Sequence, residues 1–90
     1  MLNKPEYTSL HLLKAGNKEG LEYLYSQYHG RIYAFCYRFF RQTELAEEAT
    51  ADVFVTLWKK RFLINPKIGI QALLYKIAKD TAFNYLKKIA

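Results

Sequence analysis

Apolar residues recur three and four positions apart along nearly the whole chain, and two prolines and four glycines are all that interrupts them. That spacing places one apolar stripe on a helix of 3.6 residues per turn, and it is incompatible with the period-two alternation of a half-buried strand. The longest stripe is Leu21, Leu24, Tyr25, Tyr28, Ile32, Phe35, Cys36, Phe39 and Phe40. Asn17 is a suitable N-cap for it, and Gly16 suits the residue after a short first helix that Thr8 or Ser9 would cap. The helix runs to about Arg41, although Gly30 inside it weakens the case for an unbroken rod. Thr43 caps the next segment, which extends to about Phe62, with Glu44, Glu47 and Glu48 early and Lys59, Lys60 and Arg61 late, as the helix dipole favours. Leu63 to Gly69 reads as a loop broken at Asn65-Pro66. The last helix, from about Ile70 to Ile89, buries Ile70, Leu74, Ile77, Ala78, Thr81, Ala82, Tyr85 and Ile89. The expected fold is all-α, a compact bundle of three long helices plus a short N-terminal one, forming one domain over residues 1–90.

Charge is unevenly placed. Residues 1–58 carry six Lys/Arg against seven Asp/Glu, whereas residues 59–90 carry eight against a single Asp. A near-neutral first part and a basic second part predict two surfaces for two kinds of partner, the basic one suited to phosphate. On a wheel of about 100° per residue, Leu45, Ala46, Ala49, Val53 and Leu57 face the core, flanked by Phe54 and Trp58. Val55, beside Ala51 and near Trp58, then falls on the outer face, bordered by Glu48, Asp52 and Lys59. An apolar strip with an acidic edge is a candidate docking surface for another helix; the alternative is a single exposed valine beside a core Trp58. On the last helix, Lys76, Lys79, Asp80, Phe83 and Lys87 face outward, with Tyr75 at the edge. Lysines that hold phosphates around a ring that stacks on a base suit unpaired nucleic acid. The alternative is that Phe83 packs on the neighbouring loop while the lysines are solvated.

The chain offers little to catalysis. It has no phosphate-binding glycine loop, no nucleophile elbow and no zinc-binding helix motif, and Cys36 is its lone cysteine. His11 and His29 have no ligand-spaced partners, and Glu47 and Glu48 point apart on their helix. The expectation is a protein without enzyme activity, metal or cofactor. With no signal-peptide pattern and no apolar run long enough to span a bilayer, it is expected in the cytoplasm with no membrane insertion, and Cys36 is expected to be a buried structural thiol.

Three stretches, in order, carry a resemblance. Leu21-Glu-Tyr-Leu-Tyr-Ser-Gln-Tyr-His-Gly-Arg-Ile-Tyr-Ala-Phe resembles the aromatic-rich "LY..YY..LY.FA" that opens region 2 of bacterial sigma factors of the extracytoplasmic-function group, within the sigma-70 family. Leu45-Ala-Glu-Glu-Ala-Thr-Ala-Asp-Val-Phe-Val-Thr-Leu-Trp resembles the family's "DAEDLVQEVFLKLW". Ala72-Leu-Leu-Tyr-Lys-Ile-Ala-Lys-Asp-Thr-Ala-Phe-Asn-Tyr-Leu-Lys-Lys resembles "AWLYRIARNLAIDYLRK". The resemblance covers about residues 8–90. It implies that the middle helix binds the β′ clamp coiled coil of core RNA polymerase through Glu48, Ala51, Asp52, Val55 and Trp58. It also implies that the following loop and last helix recognise and melt the −10 promoter element on the non-template DNA strand, through Asn65, Lys67, Tyr75, Lys76, Lys79, Asp80, Phe83 and Lys87. An anti-sigma factor is a further implied partner, and a helix-turn-helix domain for the −35 element, normal in the family, is absent from these residues, as if the chain were a piece of a longer factor. Against the family pattern, Ala51 replaces a glutamine, Leu73 a tryptophan, Asp80 an asparagine and Gly30 a proline. Two other readings of the residues remain: a general double-stranded DNA-binding module using the last helix, and a bundle that binds only protein.

Overall fold

Four helices emerge from this pattern in the computed structural model, which describes residues 4–89: α1 (Lys4–Lys14), α2 (Lys18–Phe40), α3 (Thr43–Lys59) and α4 (Gln71–Ile89). A single 3-10 turn, Arg61–Leu63, follows α3. The only strand-like pairing among the described residues is an isolated bridge between Asn65 and Gly69 that closes the loop before α4. The fold is the expected all-α bundle. The buried position expected for Ile89 concerns a side chain outside the described part.

The first helix begins earlier than its expected caps. Thr8 and Ser9 lie inside α1, and Ser9 is buried. The start signal is instead Pro5 and Glu6, since a proline is tolerated in a first turn that needs no amide donor and an acid there suits the helix dipole. Glu6 is itself buried, its Oε1 accepting from the Tyr28 hydroxyl at 2.7 Å. At the other end, Gly16 adopts φ 89°. Its amide donates to the Leu13 carbonyl, and the Asn17 amide donates to that of Leu12 at 2.8 Å. These two bonds close the helix in a Schellman motif that needs a left-handed residue at Gly16. Asn17 then caps α2 as expected, its Oδ1 accepting from the Glu19 amide at 2.9 Å.

The second helix passes Gly30 without a break and ends at Arg41, a non-glycine residue in the left-handed region (φ 55°). Leu24, Tyr28, Ile32, Cys36 and Phe40 form its buried stripe. Thr43 is the first residue of α3 and not its cap. Gln42 occupies the extended cap position without a side-chain hydrogen bond, and its carbonyl accepts from the Ala46 amide. The third helix also ends three residues short of the expected Phe62. The Arg61 guanidinium lies 4.4 Å from the centre of the Trp58 ring, and its Nη1 donates to the Trp58 carbonyl at 2.8 Å. That side chain adds a donor to one of the last carbonyls of the helix, and the chain continues into the 3-10 turn.

Ala46, Ala49, Thr50, Val53, Phe54 and Leu57 bury the inner face of α3 against α2 and α4. Thr50, absent from the expected core, is 1% exposed because its hydroxyl donates to the Ala46 carbonyl and so carries no unpaired polar atom. Leu45 and Trp58 are partly buried at the rim. The loop into α4 is pinned from two sides. Ile64, Pro66 and Ile70 are buried, and the Lys14 ammonium donates to the Ile64 carbonyl at 2.8 Å. Asn65 Oδ1 accepts from the Lys67 amide, and Gly69 turns the chain out with φ 85°. Leu74, Ile77, Ala78, Ala82 and Tyr85 bury the inner face of α4 as expected, while Thr81 is partly exposed.

Candidate protein-docking and nucleic-acid interfaces

The outer face of α3 presents Glu48, Ala51, Asp52 and Val55 together, with Val55 50% exposed and Trp58 partly buried. Ala51, Val55 and Trp58 form one wall of a groove. Leu21 and Tyr25 of α2 form the facing wall, Phe54 the floor, and Lys18 and Glu22 the rim; the groove encloses about 500 Å³. Trp58 is held flat at its end by Arg61. Sequence reasoning found the α3 wall and missed the α2 wall. Tyr25 belongs by spacing to the apolar stripe of α2, yet its ring is 44% exposed and meets Phe54 edge-on at 4.9 Å. Asp52 differs from its neighbours, for its carboxylate accepts a hydrogen bond from the Tyr85 hydroxyl of α4. It therefore ties the docking helix to the last helix and is not a free acid on the strip.

The opposite character belongs to α4 and the loop before it. Lys76, Lys79, Asp80 and Lys87 are exposed on one face around Phe83, which is 44% exposed. Phe83 packs its edge on Phe39 of α2, with ring centres 5.9 Å apart, and Lys79 lies 5.9 Å from its centre. It leans on a helix and not on the loop, which leaves half the ring open. Tyr75 is less available, being partly buried edge-on against Phe35 at 5.6 Å. Lys76 and Asp80 pair with each other at 3.0 Å, so two of the expected contacts are engaged internally. Lys67 is exposed, whereas Asn65 uses its side-chain oxygen to hold the loop. The loop adds three residues the sequence reasoning passed over: Phe62, Leu63 and Ile68, 69%, 54% and 77% exposed. Phe62 and Leu63 between Lys60 and Lys67, with Ile68 directly after, are the signal in the sequence, hidden where the third helix is expected to run on through Phe62.

The family model described as Sigma-70 region 2 matches residues 24–90. The chain belongs to this family. The match spans most of α2 and all of α3, the loop and α4, so it covers the α3 wall and the basic face alike. No characterised protein and no solved structure gives a significant match. Region 2 domains of sigma factors act in transcription initiation, and as a class they bind core RNA polymerase and promoter DNA. Among the described residues of this region 2 domain, no group of three or more His, Cys, Asp or Glu could hold a metal ion, and no helix is long and apolar enough to cross a membrane. Cys36 is fully buried, and burial pushes its thiol above the ordinary range against a smaller opposing hydrogen bond with Thr50.

Two buried tyrosines link this region 2 fold to pH. Burial first, then the hydrogen bond to Asp52 and the charges of Asp52 and Glu48, hold the Tyr85 hydroxyl well above its ordinary value. Burial and the bond to Glu6 raise Tyr28 in the same direction. Both therefore keep their protons more tightly folded than unfolded. Their contribution is complete below the unfolded tyrosine value of about 10 and is lost as pH rises through the higher folded values. Urea midpoints followed by circular dichroism should fall above about pH 10, and more gently in Tyr85→Phe. An equal alkaline slope in the variant would remove Tyr85 from this account.

Proposed function

We propose that this domain is the region 2 of a sigma factor of the extracytoplasmic-function type, and that it works through two faces. The α2–α3 groove, with Ala51, Val55 and Trp58 on one wall and Glu48 and Asp52 beside it, docks on the β′ clamp coiled coil of core RNA polymerase. The basic face of α4 and its preceding loop receives the non-template strand of the −10 element and favours its melting. The observation that carries this reading is the separation of an acid-edged apolar groove from a lysine-rich aromatic face in a chain of this family. Capture of unpaired bases on Phe83 and Phe62 offsets the few kcal/mol that unstacking each base costs. An anti-sigma protein that covers either face would switch the domain off.

The test is a titration with bacterial core RNA polymerase. Ala51→Arg with Val55→Asp is the informative variant, because both residues are exposed and, unlike Asp52, neither is bonded to α4. A charge forced into the centre of an apolar interface typically costs at least about 2 kcal/mol, so the variant should bind at least about 30-fold more weakly with an unchanged melting temperature. Absence of saturable binding by the unaltered protein, with tight binding to duplex DNA, would replace this reading with that of a general DNA-binding module.

A further inference from the structure

One side of α2 carries a ladder of rings at four-residue spacing, Tyr25, His29, Tyr33 and Tyr37. The Tyr25 and His29 rings are 4.6 Å apart, and Tyr33 and Tyr37 stack at 6.1 Å with 24° between their planes. Where the ladder passes α3, Tyr25, His29, Tyr33 and Glu47 line an open cavity of about 450 Å³. This cavity adjoins the docking groove, and Tyr25 belongs to both. Its chemistry is one-sided: three π faces and one carboxylate. Among the described residues, the cations that lie over rings sit on Tyr28, Trp58, Phe83 and Tyr85, not on Tyr25 or Tyr33. The one salt bridge among them joins Lys76 to Asp80, leaving Glu47 without an internal counter-charge.

We propose that this pocket receives an arginine side chain of the protein that docks in the α2–α3 groove. Rings attract a cation through their negative faces, and a guanidinium can lie flat on a ring while its fork of N–H donors reaches a carboxylate. A lysine ammonium would satisfy the charge without the planar stacking. An anion is repelled by Glu47, and a single carboxylate with a single histidine is too few ligands for a metal. Glu22 on the rim of the groove stands against the cations Lys18 and Arg61, so the preference for a basic side chain is set locally, by Glu47 and the rings of the adjoining cavity. The inference rests on the docking reading above for its partner, and on the ring geometry for the side chain it takes.

The experiment is a double-mutant cycle in the same polymerase titration, with Glu47→Gln, Tyr33→Leu and the pair, beside Ala51→Arg with Val55→Asp. Glu47→Gln and Tyr33→Leu should each weaken binding about 5- to 10-fold. The pair should do little worse than the weaker single variant, because both contacts engage one guanidinium. The melting temperature of Glu47→Gln should stay near that of the unaltered domain, since Glu47 is exposed, whereas Tyr33 also packs on the core, so the loss in Tyr33→Leu is read only through its coupling to Glu47→Gln. Unchanged binding in Glu47→Gln and Tyr33→Leu, with binding lost in the groove variant, would overturn the arginine pocket and leave the docking surface standing. Fully additive losses would overturn a shared guanidinium. No binding by the unaltered protein would remove the docking reading and this inference with it.

Discussion

Gly20→Ala should lower the melting temperature by about 8–16 °C, although alanine is the better helix former. A Cβ at Gly20 would stand 2.4 Å from the Ser9 carbonyl oxygen and 2.6 Å from the Leu13 amide nitrogen. Both are backbone atoms of α1, so no side chain can swing aside and the whole helix must retreat from α2. Leu10 and Leu13, fully buried there, would then lose packing. Overpacking of this kind costs about 3 kcal/mol, and the propensity gain of alanine returns about 1, leaving about 2 kcal/mol of destabilisation. In a domain of this size each kcal/mol moves the midpoint by about 4–8 °C. Gly30→Ala is the matched control. Nothing lies within 4 Å of a Cβ at Gly30, so only the propensity gain acts and the midpoint should rise by about 4 °C. Equal shifts in the two variants, measured by circular dichroism, would show that α1 does not rest on α2 through Gly20.

The contrast between these glycines shows where the sequence stops being informative. Both sit in an apolar helical pattern and look alike in one dimension. Only the approach of α1 distinguishes them. The helices themselves were legible because each buries a stripe whose period is set by its own backbone, and Asn17 and Gly16 announce their turn through local chemistry. The start of α1 was not legible, because Glu6 is justified by Tyr28, a residue distant in sequence but adjacent in space. The same limit governs the sites. A wheel drawn for α3 alone places Val55 and Ala51 outward, yet the facing wall belongs to α2, and Tyr25 joins it through its edge contact with Phe54. Asp52 reads as a free acid until Tyr85 arrives from α4. Phe62 reads as part of the third helix, yet that helix ends at Lys59 and Phe62 lies in the 3-10 turn.

Asp80→Asn should tighten binding to a labelled single-stranded oligonucleotide, and replacing Lys67, Lys79 and Lys87 by Glu should abolish it. In the free protein Asp80 holds Lys76 at 3.0 Å, with both side chains largely exposed. A surface pair of this kind contributes at most about 1 kcal/mol to stability, so breaking it leaves the fold intact. On the nucleic-acid face its effect is larger, because it places a negative charge among lysines and occupies one of them. Asparagine removes the repulsion and frees Lys76 for a phosphate. Each phosphate neutralised adds about 0.7 to the log–log salt slope for single strands. The unaltered domain, with three to five such contacts, should show a slope of about −2 to −4, Asp80→Asn a slope steeper by about 0.7, and an affinity about 3- to 10-fold higher at low salt. Reversing three lysines removes about 2 from the slope and adds repulsion, for a loss of more than about 100-fold. The magnitude of that difference is what separates a phosphate-binding face from a solvated one. Lysines that merely keep α4 soluble would leave the oligonucleotide unbound at low salt in every variant, and Asp80→Asn would change nothing.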